Sequence, residues 1–131
     1  MTIKTPMSIL VTGAAGFIGS AAALALLERG DTVVGLDNLS DYYDVSLKIA
    51  RLERLKAHPA FSFLKRDVAD RQAMKEVFES NRFEAVVHLA AQAGVRNSIE
   101  NPEAYADANL SGFLSILEGC RRGKIAHLVY A

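Results

Sequence analysis

The chain has 131 residues, half of them hydrophobic, the size of one domain or part of one, with enough apolar side chains for a packed core. Fifteen basic and fifteen acidic residues cancel and no block of like charge occurs, which excludes the electrostatic footprint of a nucleic-acid or anionic-membrane binder. A single cysteine, Cys120, excludes an internal disulfide and suits a reducing cytoplasm.

Ile9-Leu10-Val11 predicts a first strand, Thr12-Gly13-Ala14-Ala15-Gly16-Phe17-Ile18-Gly19 a glycine turn, and Ala21 to Leu27 a helix. A phosphate-binding turn needs glycine where the chain bends with positive φ, where it approaches a pyrophosphate, and where the helix packs close to the strand. Gly13, Gly16 and Gly19 fill those places, and the helix start at Phe17 and Ile18 offers N–H groups and a positive dipole to the anion. The uncharged run from Ile9 to Leu27, preceded by Lys4, has the length of a signal peptide or membrane span, but its three glycines interrupt any continuous helix.

The second half of a dinucleotide fingerprint is also present. Thr32 to Leu36 predicts a second strand ending in Asp37, eighteen residues past Gly19, where an acid would accept both ribose hydroxyls and repel a 2′-phosphate. Asn38 and Leu39 supply no arginine for such a phosphate, so the expected cofactor is NAD rather than NADP. The alternative is a glycine turn and strand-end Asp in some other α/β protein.

Val45, Ile49, Leu52 and Leu55 recur at near-helical spacing until His58-Pro59 stops the helix. Phe61 to Leu64 predicts a third strand running into Asp67-Val68, and Asp70 caps a helix that turns Ala73, Met74, Val77 and Phe78 inward. Ala85 to Leu89 predicts a fourth, nearly all-apolar strand, as burial on both faces requires. Asn101-Pro102 opens a helix whose stripe of Asn109, Gly112, Phe113, Ile116, Leu117 and Cys120 runs to Arg121-Arg122-Gly123, and Ala126 to Tyr130 forms a fifth strand. Strands alternating with helices imply an α/β, Rossmann-like, doubly wound parallel sheet with strand order 3-2-1-4-5, a single NAD-binding domain over residues 1–131 that stops after strand 5.

Ligands of such sheets bind at the carboxyl ends of the strands, beside the switch between strands 1 and 4. Asp67, with the Val68 backbone beside it, is placed to accept from an adenine amino group, or else is a loop or cap residue. Leu89, Ala90, Ala91 and Gln92 leave strand 4 with small side chains that let a planar ring or ribose lie against the backbone, or simply form a tight loop. Asn109, polar on an apolar face, needs a buried partner and is expected to fasten backbone near the cofactor. Arg96 could meet pyrophosphate or a substrate carboxylate, or be solvated; Tyr42 and Tyr43 could cover the adenosine or pack their own loop. His58, His88 and His127 lie apart and give no metal-ligand spacing, and Cys120 reads as a small core residue.

These motifs, with His88-Leu89-Ala90-Ala91-Gln92-Ala93-Gly94-Val95-Arg96 following in order, resemble the extended short-chain dehydrogenase/reductases, specifically the NAD-dependent nucleotide-sugar epimerases and dehydratases. The stretch Asp37 to Lys48 and Ser98-Ile99-Glu100-Asn101-Pro102 are most similar to the UDP-glucuronate 4-epimerase branch. Asn97, where that branch often has tyrosine, and Ala108, where a hydroxyl or amide commonly faces the cofactor, depart from it. The resemblance implies an isomerase of UDP-hexuronate sugars that abstracts and returns a hydride at the sugar's carbon 4. It also implies a Tyr-x-x-x-Lys pair, which this sequence lacks: the residues four beyond Tyr42, Tyr43 and Tyr105 are Ser46, Leu47 and Asn109, and Tyr130 has only Ala131 after it. The expectation is therefore the cofactor-binding N-terminal part of such an epimerase, cytoplasmic, without catalytic or metal-ligating residues of its own, and prone to self-association through its open sheet edge. A stand-alone NAD-binding or sensing module is the alternative.

Overall fold

The computed structural model describes residues 5–131; Lys4, ahead of the uncharged run, lies outside them. Five strands, β1 (Ser8–Thr12), β2 (Thr32–Asp37), β3 (Phe61–Lys65), β4 (Ala85–His88) and β5 (His127–Tyr130), form one parallel sheet in the order β3-β2-β1-β4-β5. This is the expected doubly wound sheet. Ile9 pairs with both Val33 and Ala85, so β1 lies at the centre with its neighbours in register.

The apolar runs in β1 and β2 exist because the sheet is covered twice. Ile9, Val11 and Val33 face one core with Ala23 and Leu27 of α1 (Phe17–Glu28) and Leu52 and Leu55 of α2 (Val45–Lys56). Leu10, Val34, Leu36 and Val86 face the other, with Met74, Val77 and Phe78 of α3 (Arg71–Ser80) and Ile116 of α6 (Gly112–Arg122). Asp44 caps α2 by accepting the Ser46 N–H at 2.9 Å, and Asp70 caps α3 by accepting the Ala73 N–H at 3.0 Å. α1 has Gly16 at its N-cap and no side chain capping its first N–H groups.

Between β4 and α6 the chain differs from the expected single helix. It forms two short helices, α4 (Val95–Glu100) and α5 (Pro102–Tyr105), then a π-helical turn over Ala106–Ser111 that runs into α6. The wider turn changes the angular phase, so Gly112, Ile116 and Gly119 face the core while Leu117 is exposed, against the stripe read from the sequence. Glycine carries the contact because α6 lies so close: a Cβ on Gly119 would stand 2.3 Å from the Phe78 ring.

Candidate functional site

At the carboxyl end of the sheet, where β1 and β4 diverge, a cleft of about 250 Å³ opens between the glycine turn, the end of β2, and the loops after β3 and β4. Gly13 has φ +70 and donates its N–H to the Leu36 carbonyl at 2.8 Å, which bends the chain off β1 toward β2. A Cβ on Gly19 would stand 1.9 Å from the Gly13 carbonyl oxygen, so only glycine lets α1 start this close to the turn. The cradle is thus shaped by what a side chain would fill. With no capping side chain, it fits the phosphates of a dinucleotide.

Of the residues expected to bind cofactor, Gly13, Gly16, Asp37, Asn38, Asp67, Val68, Leu89, Ala90, Ala91 and Gln92 all line this cleft. Phe17 and Ile18 open α1 with exposed side chains, and Gly19 lies buried beneath the turn. Tyr42 and Tyr43 line the cleft's wall, whereas Arg96 does not line it.

Asp37 closes β2 and is buried, its two carboxylate oxygens accepting from backbone. Oδ2 takes the Ala15 N–H at 3.0 Å and Oδ1 the Leu39 N–H at 2.9 Å. A carboxylate has about four acceptor positions, so each oxygen retains one for a ligand in the cleft. Asp67 accepts the Ala69 N–H at 2.9 Å and the Asn38 side-chain amide at 3.3 Å, which ties the ends of β2 and β3 together at the cleft.

Asn109, on the π-helical turn, accepts the Gln92 N–H at 2.9 Å and donates to the Gln92 carbonyl at 3.0 Å. One side chain thus fastens both backbone polar groups of a cleft residue. The loop is further held by the Tyr105 hydroxyl, which bonds to the carbonyls of Ala93 and Gly94.

Three features of the site were not read from the sequence. Thr12, buried at the end of β1, accepts the N–H groups of Leu89 at 3.0 Å and Ala90 at 3.1 Å. With both lone pairs engaged, its own proton goes to His88 Nδ1, 2.6 Å away. His88 is therefore neutral with its proton on Nε2. Burial, with Phe113 stacked on the ring at 5.6 Å, depresses its pKa to about 4. The other two are Lys48 and Arg66, both lining the cleft; Lys48 is distant in sequence from the fingerprint and Arg66 directly precedes Asp67. Burial pushes the half-buried Cys120 thiol up, the opposite of what a nucleophile needs. No group of three potential metal ligands occurs among the described residues, and no helix among them is long and apolar enough to cross a membrane.

The GDP-mannose 4,6 dehydratase family matches residues 10–130. Over 95% of its length the chain is 61% identical to an uncharacterized 37.6 kDa protein of Escherichia coli O111:H-, and covers 37% of that protein. It is 48% identical to the UDP-glucuronate 4-epimerase of Thermodesulfobacterium geofontis, covering 93% of this chain and 38% of that enzyme. The UDP-glucuronic acid 4-epimerase of Bacillus cereus, solved with UDP-glucuronic acid and NAD, superposes over 95% of this chain and 39% of its own, with a TM-score of 0.85 at 32% identity. The chain thus spans a little over a third of the length of these relatives. It belongs to the GDP-mannose 4,6 dehydratase family, among the NAD-dependent nucleotide-sugar epimerases and dehydratases of the extended short-chain dehydrogenase/reductase class.

Proposed function

We propose that this chain is the NAD-binding N-terminal portion, over residues 1–131, of a nucleotide-sugar epimerase acting on UDP-hexuronates. The observation that carries the reading is the convergence of Asp37 and the uncapped glycine turn on one cleft, with the Asp37 carboxylate fixed to the turn through the Ala15 N–H. NAD, when bound, supplies a hydride acceptor and donor. The chain's own residues bind and orient it: Gly13, Gly16, Phe17, Ile18 and Gly19 at the phosphates, Asp37 and Asn38 at the ribose, Asp67 and Val68 at the adenine. Leu89, Ala90, Ala91 and Gln92 give the floor, and Asn109 positions it. The relatives' printed activities support the substrate class.

No catalytic residue is assigned to this chain, because the Tyr-x-x-x-Lys pair that the resemblance implies is not in its sequence. Its place in the cell is proposed as the cytoplasm, in keeping with one unpaired cysteine. Self-association is proposed through β5, which pairs on one side only among the described residues.

Calorimetric titration tests the cofactor reading. NAD binds more tightly than NADP, and Asp37→Ala narrows the gap by removing both the ribose acceptor and the charge that repels a 2′-phosphate. A wild-type preference for NADP refutes it.

A further inference from the structure

We propose that Tyr42 is a strap across the mouth of the cleft, closed against Gly94 on the opposite side and rotating away when a dinucleotide enters or leaves; the inference rests on the cleft being the NAD site. Tyr42 belongs to the loop after β2 and Gly94 to the loop after β4, and these two strands flank β1. A Cβ on Gly94 would stand 2.4 Å from the Tyr42 hydroxyl oxygen and 3.3 Å from its Cζ, so the tip of the ring lies against the Gly94 backbone. The contact therefore crosses the line of β1, from which the glycine turn springs. Tyr42 and Ala93, the neighbour of Gly94, both line the cleft together with Gly13 and Gly16 of that turn. A dinucleotide with its ribose at Asp37 and its phosphates at the turn would run in the same direction, enclosed between the turn and the tyrosine.

The two sides of the contact are held differently. On the β4 side the Tyr105 hydroxyl bonds to the Ala93 and Gly94 carbonyls, and Asn109 holds both backbone groups of Gln92. Gly94 has φ +100, a conformation glycine adopts without strain, and its missing side chain leaves the space that the ring tip occupies. On the β2 side the backbone is anchored on both flanks of Tyr42: Lys48 donates to the Ser40 carbonyl at 2.7 Å, and Arg51 to the Tyr43 hydroxyl at 3.1 Å. Tyr42 itself is half exposed. Its N–H donates to Ser40 Oγ at 3.3 Å, and its hydroxyl makes no hydrogen bond among the described residues. The side chain is thus the movable part, and rotation about its own χ angles opens the mouth without unpairing any backbone group. Van der Waals contact alone holds it closed, so it acts on the rate of exchange rather than on affinity.

Stopped-flow mixing with NADH, whose own fluorescence reports binding to a chain without tryptophan, reads the association rate, and displacement by excess NAD reads the dissociation rate. Tyr42→Ala is expected to raise both rates alike, by about tenfold if the open rotamer is populated about a tenth of the time, and to leave the Kd within about threefold. In the wild-type chain, the nuclear Overhauser contact between the Tyr42 ring and the Gly94 Hα protons should be present both in the free chain and with ADP-ribose bound, a readout that needs no variant to fold. Loss of that contact on binding shows that the ligand displaces the tyrosine, and overturns the strap. A Tyr42→Ala chain whose Kd rises through the dissociation rate alone, as loss of a direct contact would cause, overturns it too, and so do unchanged rates. Wild-type chain that binds neither NADH nor ADP-ribose overturns the underlying NAD reading as well, whereas any of the other adverse results in a chain that binds them overturns only the role of Tyr42.

Discussion

Lowering the pH from 7 to 5 is expected to destabilise the fold through one residue, His88. Its ring is closed in by Phe113, and its Nδ1 accepts the Thr12 hydroxyl, whose lone pairs are taken by the Leu89 and Ala90 amides. A second proton on the ring would face an oxygen with no acceptor capacity left, in a buried site. The pKa falls to about 4 in the fold from its ordinary 6.5. Between those values the unfolded chain binds a proton that the folded chain refuses, so stability rises with pH across this window and falls as pH drops through it. Stability is complete above 6.5, and the loss between pH 7 and pH 5 amounts to up to about 2 kcal/mol. Asp44 and Glu118, whose carboxyls are lowered by the Ser46 hydrogen bonds and by Arg121, lose their contributions only at more acidic pH. Urea unfolding followed by circular dichroism at pH 7, 6 and 5 measures the slope. His88→Asn keeps an acceptor near the Nδ1 position without a titrating ring; it lowers stability at pH 7 by loss of stacking but should be flat from pH 7 to pH 5. Parallel slopes for wild type and His88→Asn, or a flat wild type, refute the reasoning.

Two further outcomes are expected. Asn109→Ala leaves the Gln92 N–H and carbonyl without their partner, which should cost about 1–3 kcal/mol in thermal or urea unfolding and weaken NAD binding while Asn109→Asp retains the accepting half. At β5, Val129 is 50% and Tyr130 60% exposed beside unpaired backbone, so light scattering should show concentration-dependent association, and Val129→Lys should reduce it; a monodisperse monomer at all concentrations refutes the edge as the contact.

What was legible in the sequence follows from which interactions are periodic or local. The order of strands and helices was readable because burial on both faces leaves β1, β2 and β4 as unbroken apolar runs, and because Asp70 and Asn101 mark helix starts through contacts three residues away. The π-helical turn was not, since the sequence of Ala106 to Ser111 gives no local sign of it. Leu117 falls on the sequence stripe as an apolar side chain at helical spacing, whereas Gly119, where a Cβ would stand 2.3 Å from the Phe78 ring, has no side chain to mark it. Lys48 escaped notice for a related reason. A lysine among Arg51, Arg54 and Lys56 on an amphipathic helix looks like part of the solvated face, and only its burial at the cleft separates it from them.

The residues that shape the cleft are also those that close the fold around it, and this sets how the site can be probed. Thr12 uses all its hydrogen-bonding capacity to join β1, β4 and the loop after β4, with none left for a ligand. Asp37 divides its capacity, holding Ala15 and Leu39 while keeping acceptor positions toward the cleft. From Thr12 to Asp37 the structural share of the side chain falls and the share available to a bound dinucleotide rises. Loss of Thr12 should therefore register in folding, and loss of Asp37 in both folding and binding. That ordering follows from counting donors and acceptors.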